Sequence, residues 1–149
     1  MITLVQLEDP LLVVEQLPSM VFVLVASPEH PAASAAHLQM SDLQTYLELS
    51  VHDSDERTVS RDTNQIAGAR VFYVGDFAAK KEGLLRGLGL GWMPETMIEK
   101  ELSSGHLVEL PLARGARRRY PMALARRRDR PLGPAGLRFA ELLRAHLTP

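Results

Sequence analysis

The chain has 149 residues, 46% of them hydrophobic and 23% charged, with a formal net charge of −1. That length buries one substantial core, or two small lobes sharing a hinge, and the composition is that of an ordinary soluble globular domain. The absence of cysteine excludes a disulfide framework, thiolate chemistry and a zinc–thiolate site, and no apolar run approaches the roughly 20 residues a membrane helix needs.

The opening MITLVQLEDP has no basic n-region and no long apolar stretch, so no signal peptide and a cytoplasmic location are expected. Residues 1–12 give no clear pattern, because Asp9-Pro10 interrupts their apolar positions. Val13–Gln16 reads as a short strand, Pro18-Ser19 as a turn, and Met20–Ala26 as a strand buried on both faces. Ser27-Pro28-Glu29-His30-Pro31 is a stiff extended turn, and Ala32–His37 can form a helical turn. Ser41 is placed to cap another turn at Asp42-Leu43, and Tyr46–Val51 returns as a strand. A polar loop, His52 to Arg57, follows, and residues 58–68 read as irregular.

Val71–Val74 is an apolar run of β-formers closed by Gly75, read as a buried strand. Asp76 can cap a helix to about Arg86, with Phe77, Leu84, Leu85 and Leu88 on one face and Lys80, Lys81 and Glu82 mostly off it. Gly87, Gly89 and Gly91 end that helix and turn the chain into Leu90–Met93. Pro94 suits the first position of a second helix, which carries Met97, Ile98 and Leu102 inward; Gly105 ends it, and Leu107–Leu110 is another strand. The resulting βαβαβ order predicts a mostly parallel sheet flanked by helices. Beyond it, Pro111 to Gly115 turns, Tyr120–Ala125 is a strand, and Pro134 starts a last helix with Leu137, Ala140, Leu143 and Leu147 inward.

Catalytic motifs are missing: there is no G-x-S-x-G, H-E-x-x-H or P-loop, and Gly87-Leu88-Gly89-Leu90-Gly91 follows a helix, unlike a dinucleotide fingerprint. His30, His37, His52, His106 and His146 are scattered, so neither a metal nor a cofactor is expected. Ligands of open α/β sheets bind beyond the carboxyl ends of the strands, which makes Ser50–Ser54 and Gly75–Phe77 the natural edge. Ser50, His52, Asp53, Gly75, Asp76 and Phe77 are therefore the candidate binding residues. Asp76 reads first as a helix cap and only second as a ligand contact, His52 and Asp53 read equally as a solvated loop, and Asp53 with Asp76 is the one conceivable acid/base pair of a small α/β enzyme. Charge is uneven: residues 1–113 hold 7 Lys and Arg against 16 Asp and Glu, and residues 114–149 hold 10 against 2. The basic run Arg114 to Arg130 is either a phosphate-contacting patch or an exposed strand and loop whose arginines pair with the acidic remainder. The scarcity of aromatic residues beside it favours the second.

Three stretches in order carry a family resemblance. They are VFVLVASPEHPAA (Val21 to Ala33), Ser41-Asp42-Leu43, and LRGLGLGWMPE followed by SSGHLVELPL, with Gly87, Gly89, Pro94, Gly105, Leu107 and Leu110 at the matching spacing. Together they resemble the C-terminal half of the effector-binding domain of LysR-type transcriptional regulators. The resemblance implies a periplasmic-binding-protein-like (type 2) α/β lobe at about 27–113, with 13–26 and 114–149 forming the hinge and the return to a first lobe that is incomplete here. It implies a non-enzymatic sensor that binds a small-molecule effector in an interlobe cleft and couples it to transcription. DNA would be bound only through a winged helix-turn-helix that these residues do not contain. A lobe lacking its partner is expected to leave an apolar sheet edge or face exposed, and so to self-associate as a dimer or tetramer. A stand-alone solute-binding or interaction module of the same fold is the alternative from another class.

Overall fold

The computed structural model describes residues 2–3, 9–51, 66 and 70–147. The described chain forms β1 (Ile2–Thr3), β2 (Leu12–Ala26), β3 (Leu47–Val51), β4 (Arg70–Val74), α1 (Phe77–Leu85), β5 (Leu90–Pro94), α2 (Glu95–Ser103), β6 (Val108–Glu109), β7 (Arg117–Arg127) and α3 (Pro134–Leu147), with 3-10 turns at Pro31–Ser34 and Asp42–Thr45. It divides into two compact units, Met1–Met20 with Arg119–Pro149, and Val21–Arg118.

The larger unit is built on the expected βαβαβ order. β3 pairs in parallel with β4, Leu47 to Val51 opposite Arg70 to Val74, and in parallel with β5 at Glu48 and Leu90. β2 runs against β5, Phe22 to Ala26 opposite Pro94 to Leu90, and against β6. The sheet is therefore mixed, with β3, β4, β5 and β6 running one way and β2 the other. Its central strands are the apolar ones: Phe22–Ala26 and all of β5 are buried. Val23, Val25, Leu49 and Met93 meet Leu84 of α1, Ile98 of α2 and Leu107 in one cluster. Each such side chain contributes about 1.5–3 kcal/mol on burial.

Several local expectations change. The strand read as buried, β4, ends the sheet order, and Phe72 and Tyr73 are 57% and 47% exposed. An apolar β-run marks a strand but not its rank in the sheet. Ser41 makes no side-chain cap; Asp42 Oδ2 accepts the Gln39 N–H instead, at 2.8 Å. Pro94 ends β5 and precedes α2 without a loop. Met97 and Leu88 point outward.

Lys80, expected off the core face, is buried at 3% exposure. The cause lies across the sheet. Gly91 presents no side chain, and a Cβ there would stand 2.7 Å from the Leu49 carbonyl oxygen and 2.8 Å from Lys80 Cε. A Cβ on Gly89 would collide with the Leu47 carbonyl oxygen in the same way. The glycines let β5 lie close to β3 and leave a slot for the lysine stem. Gly87 serves the chain reversal instead, and its φ of 71° is the left-handed turn between α1 and β5.

The smaller unit pairs β1 with β7 antiparallel, Ile2 opposite Leu124 and Thr3 opposite Ala123. α3 packs here, with Ala140 joining Leu17, Met122 and Leu124, and Leu132, Leu143 and Leu147 against them. The inward stripe is Gly136, Ala140, Leu143 and Leu147; Leu137, expected inward, is 54% exposed. Pro18, expected in a turn, lies inside the continuous β2 and is exposed. Its fixed φ is compatible with an extended chain, and only its missing N–H bars it from positions that must donate. Glu15 of β2 receives both Arg144 Nε (2.5 Å) and Nη2 (2.6 Å). These hydrogen bonds hold the Glu15 carboxyl below the ordinary carboxylate range.

The larger unit yields two tests. Gly91→Ala lacks room against a backbone carbonyl, so it is expected to cost about 1–3 kcal/mol, read as a lower urea midpoint at unchanged slope. His30 is buried, its Nδ1 accepts the Ala32 N–H at 3.2 Å, and its ring stands edge-on to Tyr46 at 5.0 Å. That geometry needs a neutral imidazole, and burial lowers its pKa. The unfolded chain then takes up the proton first, so stability is expected to fall as pH drops below the ordinary histidine value of about 6.5. His30→Asn should flatten the dependence of Tm on pH in that window; an unchanged slope would count against the assignment.

Candidate functional site

The carboxyl ends of β3 and β4 lie side by side because the two strands are paired in parallel to their last residues, Val51 opposite Val74 and Ser50 opposite Tyr73. The next residues after β4 are Gly75 and Asp76, which start α1. Ser50, Gly75, Asp76 and Phe77 thus lie at one end of the paired strands. His52 and Asp53, the other two candidates, lie outside the described residues. Phe22 of β2 is paired with Pro94 at the end of β5, so this edge also carries the start of the unit's antiparallel strand.

Each member has a definite local role. Ser50 is buried. Gly75 is exposed, its φ is not positive, and a Cβ on it would touch nothing within 4 Å, so neither strain nor crowding demands glycine there. Asp76 is the N-cap of α1: its Oδ1 accepts the Ala79 N–H at 2.8 Å, and its carbonyl accepts the Lys80 N–H at 3.0 Å. A capping carboxylate satisfies one of the free N–H groups of the first turn and opposes the entry of an anion beside it. Phe77 is half-buried, packs on the core cluster, and its ring lies 6.2 Å from that of Phe22. It supports the edge as a core residue.

Two buried groups of these elements were not singled out from sequence. Lys80 Nζ lies 5.9 Å from the centre of the Phe77 ring. The residue lies one turn behind the start of α1. Glu48 of β3 is fully buried, and its Oε2 accepts the Ile66 N–H at 2.8 Å, tying that residue to the sheet. The sequence signal for Lys80 was Gly91 on the facing strand, legible only once strand and helix are known to pack. Among the described residues no group of three or more His, Asp or Glu converges as a metal site.

The basic run is partly consumed by structure. Arg117 binds Glu95 (Nη1 to Oε1, 2.5 Å) and Glu109 (Nε to Oε2, 2.9 Å). Arg118 lies over the Trp92 ring, 4.1 Å from its centre. Arg127 is paired with Asp129, and Arg128 Nε donates to the Pro10 carbonyl. Arg117 and Arg127 thus pair with acids, while Arg118 and Arg128 are engaged by an aromatic ring and a backbone carbonyl.

Residues 1–148 match the model of the LysR substrate binding domain. The chain is 31% identical over 120 residues to the HTH-type transcriptional regulator CbbR of Cereibacter sphaeroides, covering 77% of this chain and 38% of CbbR. It is 27% identical over 88 residues to the HTH-type transcriptional activator AllS of Klebsiella pneumoniae, covering 58% of this chain and 33% of AllS. In fold it is similar to full-length LysG of Corynebacterium glutamicum with bound effector Arg. The TM-score is 0.70 at 21% identity, covering 97% of this chain and 49% of LysG. The chain therefore spans well under two thirds of the length of each. The α/β fold is that of LysR effector-binding domains.

The cap assigned to Asp76 is directly testable. Asp76→Ala is expected to cost about 0.5–2 kcal/mol and Asp76→Ser or Asp76→Asn only a few tenths, measured by urea unfolding. Equal losses from all three would remove the capping role.

Proposed function

The chain belongs to the LysR substrate binding domain family, and from that premise we propose that it is the effector-sensing part of a LysR-type transcriptional regulator, without catalytic activity of its own. The carrying observation is the single edge formed by Ser50, Gly75, Asp76 and Phe77, placed by the Val51–Val74 register at the carboxyl ends of parallel strands. Open α/β sheets offer such edges to small molecules. An effector here meets backbone N–H groups at the start of α1 and the Ser50 hydroxyl. Asp76, already engaged as a cap, biases the edge toward ligands that do not bring a bare anion to the first turn.

Regulation then follows from differential affinity: an effector shifts a conformational equilibrium only by binding its states unequally. DNA contact would be made by a winged helix-turn-helix outside these residues, and the working form would be an oligomer. The edge strand β4, with Phe72 and Tyr73 exposed, is consistent with association.

The test is a titration of the full chain with a panel of sugars, polyols and amino acids, followed by amide NMR. A true effector is expected to shift the Ser50, Val51, Gly75, Asp76 and Phe77 resonances. Ser50→Ala should weaken it about two- to tenfold, the loss of one hydrogen bond, at unchanged Tm. Shifts confined to other parts of the chain would refute the edge.

A further inference from the structure

The smaller unit holds a groove that the effector reading leaves unused. It has a volume of about 430 Å³ and is lined by Leu12, Leu132 and Phe139, together with Arg126, Arg127 and Arg130. Its origin is the narrow foot of α3. The helix faces its neighbours through Gly136 and Ala140, and a Cβ on Gly136 would already stand 3.2 Å from Leu132. Small residues at the contact leave an open flank, on which Phe139 remains 53% exposed.

The charges of this groove are unevenly paired. Arg127 is neutralised by Asp129, at 2.8 and 2.6 Å. Arg130 forms no ion pair among the described residues; Arg126 lies near enough to Glu15 to help hold its carboxyl below the ordinary range, and no described carboxylate lines this groove. A second groove, of about 350 Å³, is different. Glu15, held by Arg144, stands in its wall. Arg126 stands in the wall of both grooves, and the first alone of the two has guanidinium groups with no described carboxylate in its lining.

We propose that this groove binds a small amphipathic carboxylic acid, with its apolar body against Leu12, Leu132 and Phe139 and its carboxylate on Arg126 and Arg130. The volume suits a small molecule, since ligand pockets run from about 300 to about 1,000 Å³. Guanidinium groups bind carboxylates through strong charge-assisted hydrogen bonds, and the apolar lining rewards a hydrocarbon tail that a bare inorganic anion lacks.

Octanoate is the probe, compared with octan-1-ol on the full 149-residue chain by calorimetry and methyl NMR, below the concentration at which octanoate forms micelles. Saturable octanoate binding is expected, with shifts at the Leu12 and Leu132 methyls, and octan-1-ol should bind about tenfold or more weakly. Arg126→Gln with Arg130→Gln should remove that advantage and leave octan-1-ol binding as it was. If the double variant does not fold, Phe139→Glu, at an exposed position, is expected to repel the acid and abolish binding. Equal affinity for acid and alcohol, octanoate binding undiminished in these variants, or shifts at Val51 and Val74 instead would overturn the proposal. So would an oligomer that covers Phe139 and ignores octanoate. Apart from shifts at Val51 and Val74, which would put octanoate at the effector edge, none of these outcomes bears on that edge, whose residues lie in the other unit.

Discussion

The closeness of β5 to β3 is the constraint on which the larger unit depends. Gly89 and Gly91 bring one backbone against the carbonyls of Leu47 and Leu49, where a Cβ would find no room. Backbone carbonyls cannot swing aside as side-chain ends can, so the approach is fixed by the absence of side chains rather than by attraction. The stem of Lys80 occupies the space that results, and α1 is drawn down over the sheet. With α1 seated by Leu84 on one side and Lys80 on the other, its first residues come to the carboxyl ends of β3 and β4. The edge read as a binding site is a consequence of two glycines on a strand.

This arrangement buries polar groups that a purely structural core would avoid. Glu48 and Lys80 are 0% and 3% exposed, Ser50 is buried, and the Trp92 indole N–H is buried without a hydrogen-bond acceptor among the described residues. An orphaned N–H costs about 1–3 kcal/mol; the Arg118 guanidinium over the Trp92 ring offsets part of it by cation–π attraction. Buried charges hold their neighbours to particular places, as Glu48 does for Ile66. A protein that reports on a ligand has use for such groups, because their balance is easily altered by a new charge or hydrogen bond. A uniform hydrocarbon core gives a ligand nothing of this kind to act on.

What could be read from the residues alone divides along local and non-local lines. The strand–helix rhythm from Val71 to Leu110 was legible because Gly75, Asp76, Gly87, Pro94 and Gly105 punctuate it with local chemistry. The capping of α1 by Asp76 was legible for the same reason. The exposure of Phe72 and Tyr73 was not, because a strand's place at the margin is decided by its partners. The burial of Lys80 was hidden in Gly91, eleven positions away and on another element. Ser50 and Gly75 could be proposed as neighbours from a general rule about α/β sheets; only the Val51–Val74 register puts them together. His52 and Asp53 lie outside the described residues, and their part in the edge remains a reading of sequence.

α3 shows how a correct element can carry a wrong face. Leu137, Phe139, Leu142, Leu143 and Leu147 spread apolar side chains around much of the helix, so periodicity admits more than one phase. Side-chain volume settles it. Gly136 and Ala140 are the residues that let the helix axis come close, and closeness gains more contact for the flanking Leu143 and Leu147 than burying Leu137 would. The cost is that Leu137 and Phe139 are left on opposite shoulders, each beside a groove. The two shoulders then differ by a single acid. Glu15, clamped by Arg144, stands in one, while the other has Arg126, Arg127 and Arg130 and no described carboxylate in its lining. The same small residues that fix the helix in place therefore also decide that a positively charged, apolar hollow exists beside it.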